Sequence, residues 1–440
     1  MPKLGLSSSL AGGGTGANLT IPSFRRDFAG VKTLNHGIGP NITFTRTGTA
    51  TYFDATGTLT TATADVPRFD HDPSTLESRG LLIEDGRTNS IRNSEATGGT
   101  DGSPGTLPTN YSFQNTIGLT RTLSFGTING FSYVDCRYNG TTTGSGLLIF
   151  DPETTTAITA GSGQTWISSF YIALISGSFP TTNLTINTSG RTSGGSLVAG
   201  QSSTTTNLAS GLTSSLQRYN SGSVTFNDST VARVTSRIQT QTIGSGVAVD
   251  FTLRIAAPQL EQGAFATSYI PTTSAAVTRG ADNAVITSGN ALPIINQNEG
   301  TLFCEASRYA IQSSNYQNIF LRIGHTSLPS YAGLESGFAQ PTLQRFLLAD
   351  TSGTTVANTG LTSGVNNTVF KMAGVYKTDD VIFYQNGSAS TPDTSATGYG
   401  NFNSISIGSA YSATYTNGHI RKVAYYPKRL SNAQLQALTT

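Results

Sequence analysis

The side chains best equipped for chemistry crowd into one short stretch: Asp65, Arg68, Asp70, His71, Asp72, Glu77, Arg79, Glu84, Asp85 and Arg87. Cleaving a glycosidic bond takes two carboxylates flanking the sugar, one as acid and one as nucleophile or base. Asp70, Asp72 and Glu77, or Glu84 and Asp85, could supply that pair. Every one of these acids also has an arginine close by in sequence. Ion pairs with Arg68, Arg79 and Arg87 are therefore their expected use. The histidines, His36, His71, His325 and His419, show neither H-x-H nor H-x-x-x-H spacing, so no metal site or general base is expected among them. No G-x-S-x-G supports a serine hydrolase. Asp350 and the Asp379-Asp380 pair could ligate calcium, but their setting before a strand reads as a solvated hairpin turn. Cys136 and Cys304 stand far apart with no C-x-x-C and read as two buried thiols. The expectation is a protein with no catalytic residue, no metal and no cofactor.

Sugar binding without cleavage asks for less: aromatic faces beside amides and hydroxyls. Tyr309, Tyr316, Tyr331, Tyr399, Tyr411 and Tyr415 lie in Ser/Asn-rich, loop-like context. The group Tyr399-Gly400-Asn401-Phe402-Asn403 is the most suggestive. Tyr399, Asn401, Phe402, Tyr411 and Tyr415 form the candidate glycan site, against a background in which half or more of such tyrosines are packing residues.

The elements that must carry these residues are strands. Of 440 residues only 11% are charged, against about a quarter in ordinary globular chains, while 36% are apolar and 49 are glycine. Polarity comes from Ser, Thr and Asn, and β-branched and aromatic residues recur in short runs, which argues for packed strands over disorder. The length favours two or three domains. A net charge of +2 without long basic runs excludes sequence-independent nucleic-acid binding. No stretch approaches the ~20 apolar residues of a membrane span. The start, Met1-Pro2-Lys3-Leu4-Gly5-Leu6, does not read as a signal peptide. Residues 154–217 carry a single charge, Arg191. Edge strands are usually protected by charge, so other subunits are one way to cover this stretch. Asn129-Gly130 and Asn139-Gly140 flank an alternating run, Asn386-Gly387 ends another, and Ser431 with Gln434 has capping-box spacing.

Two patterns give these strands a setting. The first runs Ile42-Thr43-Phe44-Thr45-Arg46, Val66-Pro67-Arg68-Phe69-Asp70, Arg79-Gly80-Leu81-Leu82-Ile83-Glu84 and Arg87-Thr88-Asn89; the second is Pro258-Gln259-Leu260-Glu261-Gln262-Gly263 with Ala266-Thr267-Ser268-Tyr269-Ile270-Pro271-Thr272. Together they resemble the block preceding lectin-like domains, and the strand closing the next jelly roll, in tailed-bacteriophage fibre, spike and decoration proteins. The run from Tyr426 to Leu438 is similar to the end of concanavalin A/laminin-G-like jelly rolls.

The resemblance implies an all-β fold of two jelly-roll sandwiches in tandem after an N-terminal anchor and connector. Residues 1–40 would be an extended Gly-rich anchor, 41–95 the connector block, and 96–275 a central jelly roll like a carbohydrate-binding module. Residues 276–299 would be a linker and 300–440 a concanavalin A/laminin-G-like jelly roll. It implies a structural protein of the phage particle surface, made in the host bacterial cytoplasm. The first reading is a tail-fibre adhesin for host surface polysaccharide. A head fibre or capsid decoration protein is the second and a depolymerase the third. Expected partners are other virion proteins, reached through the anchor, and two further copies of the chain in a homotrimer, with neither nucleic acid nor membrane insertion.

Overall fold

The computed structural model describes residues 20–440 except 181–182, 206, 310–316, 338–339, 363–364 and 411–413. Two β-sandwiches make up the chain. Alternation drives the strands, since side chains of a strand point to opposite faces in turn. In Phe131–Thr141, Val134, Cys136 and Tyr138 are buried in a core while Asp135 and Arg137 face outward. Asn129 and Gly130, at φ of 47° and 82°, turn the chain into that strand from Thr120–Ile128. The second expected turn, Asn139-Gly140, is not one. Both residues continue the ladder, opposite Asp250 and Val249, because the fifteen-residue strand Ala248–Gln262 offers partners that far.

The central sandwich sets a five-stranded sheet against a six-stranded one. The first runs Gln217–Thr225, Thr165–Ser178, Ala248–Gln262, Phe131–Thr141, Thr120–Ile128. The second runs Leu197–Thr204, Leu184–Arg191, Arg233–Thr240, Leu148–Asp151, Ser112–Asn115, with Ile158–Thr159 added beside Arg233–Thr240. Much of the uncharged stretch 154–217 is uncharged because it is interior: Ile172 and Leu184 are both fully buried. Leu197–Thr204 is an edge of its sheet, and Leu197 is exposed there.

The second sandwich corrects the expected division of the chain. One of its sheets runs Thr43–Thr45, Asn283–Ile286, Ser404–Ile407, Ile319–Gly324, Tyr331–Gly337, Gln340–Ala349, Thr355–Thr362. In the other, Gly418–Tyr426 pairs along one edge with Glu299–Arg308. Along its opposite edge it takes Ser78–Ile83 at one end and Phe24–Asp27 at the other. Phe24, Phe28, Leu34, Ile42, Phe44, Leu81 and Ile83 all lie in this core. Residues 20–95 are thus neither a free anchor nor a separate connector. They cover an edge of Gly418–Tyr426 that would otherwise present unpaired backbone groups. The Gly-rich run 11–16 of the expected anchor falls outside the described residues. The expected linker is structured too, since Val277–Arg279 pairs with Arg87–Asn89 and Asn283–Ile286 with Thr43–Thr45. The sandwich at 96–275 is in effect inserted into the other.

Local chemistry explains the motif glycine. Gly80 sits at φ 96°, and a Cβ there would lie 2.5 Å from the Ile420 carbonyl oxygen, so the close strand pairing needs glycine. The chain ends in the helix Asn432–Thr439, opened by a reciprocal capping box of Ser431 and Gln434. Cys136 and Cys304 are free thiols buried in different sandwiches, and burial pushes Cys136 up to about 12. Among the described residues no helix is long and apolar enough to cross a membrane.

Candidate functional site

The two motifs meet where the sandwiches join. Arg46, Arg68, Glu84, Arg279 and Asp282 each stand at or beside the end of a short strand and converge on a fully buried cluster. Arg68 Nη2 lies 2.8 Å from Glu84 Oε2 and 2.5 Å from Asp282 Oδ2, and Arg46 Nη1 lies 3.1 Å from Asp282 Oδ1. Arg279 also pairs with Glu84. Burial alone would raise the Glu84 carboxyl, but the guanidiniums of Arg279 and Arg68 overcome it and hold Glu84 well below the usual carboxylate range. Burial likewise opposes charge on Arg68, yet Asp282 and Glu84 push its pKa up. Three arginines face two carboxylates, and backbone carbonyls of Thr63, Thr51 and Asp85 each accept from one guanidinium Nη of Arg46, Arg68 and Arg279 respectively.

The second motif locks onto the first through hydrogen bonds. Ser268 donates its N–H and its hydroxyl to the two oxygens of Glu84, each at 2.7 Å. Asn89 Nδ2 donates to the carbonyls of Pro258 and Ile270. Gln259 Oε1 accepts from the Ile270 N–H at 2.7 Å, and the Thr51 hydroxyl donates to the Tyr269 carbonyl.

Of the acids that could have cleaved a sugar, Glu77 is exposed and takes no part in the junction, while the others are engaged here. Asp72 accepts from Arg79 at 2.6 Å and from the N–H groups of Ser74 and Thr75. Its carboxyl is lowered to about 2, with burial opposing and the Thr75 N–H and Arg79 hydrogen bonds prevailing. Asp85 pairs with Arg87 at 3.1 Å. Asp70 departs from the expected arginine pairing. Its Oδ1 accepts from the Phe53 N–H at 2.7 Å, and its Oδ2 lies 2.8 Å from His419 Nε2 in the second sandwich. Tyr309 stands edge-on to the His419 ring at 5.4 Å. Burial, with Glu84 and Asp70 nearby, raises the Tyr309 phenol far above its ordinary value and keeps it neutral.

Above the junction lies a cleft of about 540 Å³ shared by both sandwiches. Tyr52, Asp70, Arg79, Tyr309 and Asn367 line it from one side, and Tyr171, Gln217, Arg218 and Asn220 from the other. The partly exposed rings of Tyr52 and Tyr309, amides and two guanidiniums therefore converge on the cleft, whereas Tyr171 is itself buried against Phe131.

The residues picked out in the sequence do not converge. Phe402 is fully buried in the second core, edge-on to Tyr376 at 5.5 Å, and Tyr415 is buried in the same core. Both are packing residues, not sugar platforms. Tyr399 is half-buried, its hydroxyl donating to the Asn298 carbonyl at 2.7 Å. Asn401 is exposed at φ 60° in a turn. Tyr411 and Tyr316 lie outside the described residues. Asp380 forms a bidentate pair with Arg429, both contacts at 2.8 Å, and Asp350 Oδ1 is filled by N–H and hydroxyl donors of its own turn. Among the described residues no group of three or more His, Cys, Asp or Glu could hold a metal ion. Tyr52, Tyr171 and Arg218 carried no sequence signal of their own as cleft residues.

The chain matches no protein-family model and no curated protein. It is similar to solved β-sandwich structures. The carbohydrate-binding module CBM40 of the Ruminococcus gnavus IT-sialidase shares 16% identity at a TM-score of 0.29, covering 34% of this chain and 88% of that one. The NanB sialidase of Streptococcus pneumoniae shares 13% at 0.29, covering 36% of this chain and 26% of that one. A SAP-like pentraxin of Limulus polyphemus shares 9% at 0.25, covering 32% and 69%. Likenesses at this level carry no argument about what this chain binds.

Proposed function

We propose that this chain is a non-catalytic surface protein of a tailed-phage virion that binds host glycan in the cleft between its sandwiches. The observation that supports this is the cleft itself, a concave wall combining tyrosine faces with amides and guanidiniums, as saccharide recognition requires. The nearby acids support binding without cleavage, because Asp70 and Asp72 already have partners and no second carboxylate stands free across the cleft among the described residues. On this reading the chain works as a homotrimer whose N-terminal leader joins it to other virion proteins, with the tail as its place. The uncharged edge strand Leu197–Thr204 favours a second reading, a head fibre or decoration protein whose sandwiches pack against neighbouring subunits.

Calorimetric titration of the full chain with host surface polysaccharide tests the reading. Binding is expected, weakened about tenfold by Tyr52→Ala, since an aromatic–ligand contact contributes about 1–2 kcal/mol. No reducing ends should appear on prolonged incubation. Their release would overturn the non-catalytic reading, and binding untouched by Tyr52→Ala would remove the cleft from it.

A further inference from the structure

Within the cleft the charges are not balanced. Arg79 is matched by Asp72, and Asp70 is matched by the Phe53 N–H and His419. Arg218, on the strand Gln217–Thr225, has no carboxylate partner among the described residues. Its Nη2 donates to the Ser169 hydroxyl at 2.9 Å, and its buried Nε has no acceptor among the described residues. A half-buried guanidinium pays part of its desolvation without the ion pair that normally offsets it. Side chains in the same cleft also hold it in place. Its guanidinium carbon lies 5.7 Å from the centroid of the Tyr171 ring, and the Ser169 hydroxyl fixes its fork from the neighbouring strand Thr165–Ser178.

A fixed, under-partnered guanidinium beside aromatic surface is suited to one kind of saccharide group. Neutral hydroxyls would leave the charge uncompensated, whereas a carboxylate accepts from a guanidinium in a planar, charge-assisted pair. We infer that the cleft selects an acidic glycan, with the carboxylate of a uronic-acid-type sugar seated on Arg218 and the sugar ring against the tyrosines. This inference rests on the glycan-binding reading of the same cleft. It adds the chemical class of the sugar and the residue that reads it.

The test uses the full chain and two probes of one backbone: a galacturonic-acid oligosaccharide and its carboxyl-reduced, neutral galactose counterpart. The acidic probe should bind at least about tenfold more tightly than the reduced one, and its binding should weaken with added salt. Arg218→Ala should cost the acidic probe about tenfold to a hundredfold and the reduced probe much less, so that the preference for the acidic probe collapses. Arg218→Lys should recover part of the loss, because charge returns without the planar fork. Arg218→Gln, which keeps a donor near Ser169, guards against misfolding and should behave as Arg218→Ala does while retaining the parent Tm. Equal binding of both probes, or Arg218→Ala without effect on the acidic one, overturns the inference and leaves the glycan reading standing. Failure of both probes and of the host polysaccharide sinks the glycan reading and the inference with it.

Discussion

At the residue scale, the junction depends on Glu84, the acid shared by Arg68, Arg279 and Ser268. Replacing it with glutamine keeps the shape and removes the charge, leaving two buried guanidiniums underpaid. Breaking a buried pair in this way costs about 3–5 kcal/mol. The loss should carry a pH signature. Glu84 has its folded pKa depressed below the ordinary 4.5, so its contribution is full above that value and fades as the pH falls toward the folded value. Urea denaturation should therefore show Glu84→Gln well below the parent at pH 7, with a narrower gap at pH 3. An equal gap at both would mean that the charge is not what stabilises the junction.

At the element scale, the short strand Phe24–Asp27 decides whether the N-terminal segment is appendage or core. It pairs residue for residue with Lys422 to Tyr425, and Phe24 and Phe28 are fully buried. A chain begun at residue 41 should therefore lose several kcal/mol of stability, and Phe24→Ala alone about 3–5 kcal/mol. A chain begun at residue 20, which keeps this strand, should melt well above the one begun at residue 41. Equal Tm for both truncated chains would return residues 20–40 to the role of a loose anchor. Local signals were readable in the sequence: the Asn-Gly turns at 129–130 and 386–387, both at positive φ, and the capping box at Ser431. The pairing of Phe24 with Tyr425 was not, because a four-residue strand says nothing about a partner four hundred residues away, and register is fixed by the whole sheet. Phe402 failed for a related reason. Its Gly/Asn neighbours give it a loop setting, but the Gln297 side chain and the Tyr376 ring draw the loop inward. The junction acids were half legible, since nearby arginines pointed to ion pairs while His419, the partner of Asp70, lies in the last strand.

At the scale of the whole molecule, the insertion of one sandwich into the other makes the cleft a joint product. Where the chain leaves the outer sandwich and returns to it, the Glu95 N–H donates to the Thr272 carbonyl at 3.0 Å, so the two crossing points are neighbours. Each sandwich has its own main core, and apolar contact between them is confined to the seam, where Ile91 joins Trp166 and Leu260 and where Phe53 and Leu59 pack against Phe131. Residues 96–271 should fold alone. So should the outer sandwich, with residue 95 joined to residue 272 by a short glycine linker that spans only a hydrogen-bonded gap. The cleft would survive in neither piece, because Arg218 and Tyr171 leave with one and Tyr52 and Tyr309 stay with the other. The expected result is two folded fragments, each with a cooperative thermal transition, and neither binding polysaccharide that the full chain binds. Retention of binding by the inserted sandwich alone would move the site off the junction and onto a surface of that sandwich, whereas failure of either fragment to fold would show that the ionic junction completes a single core.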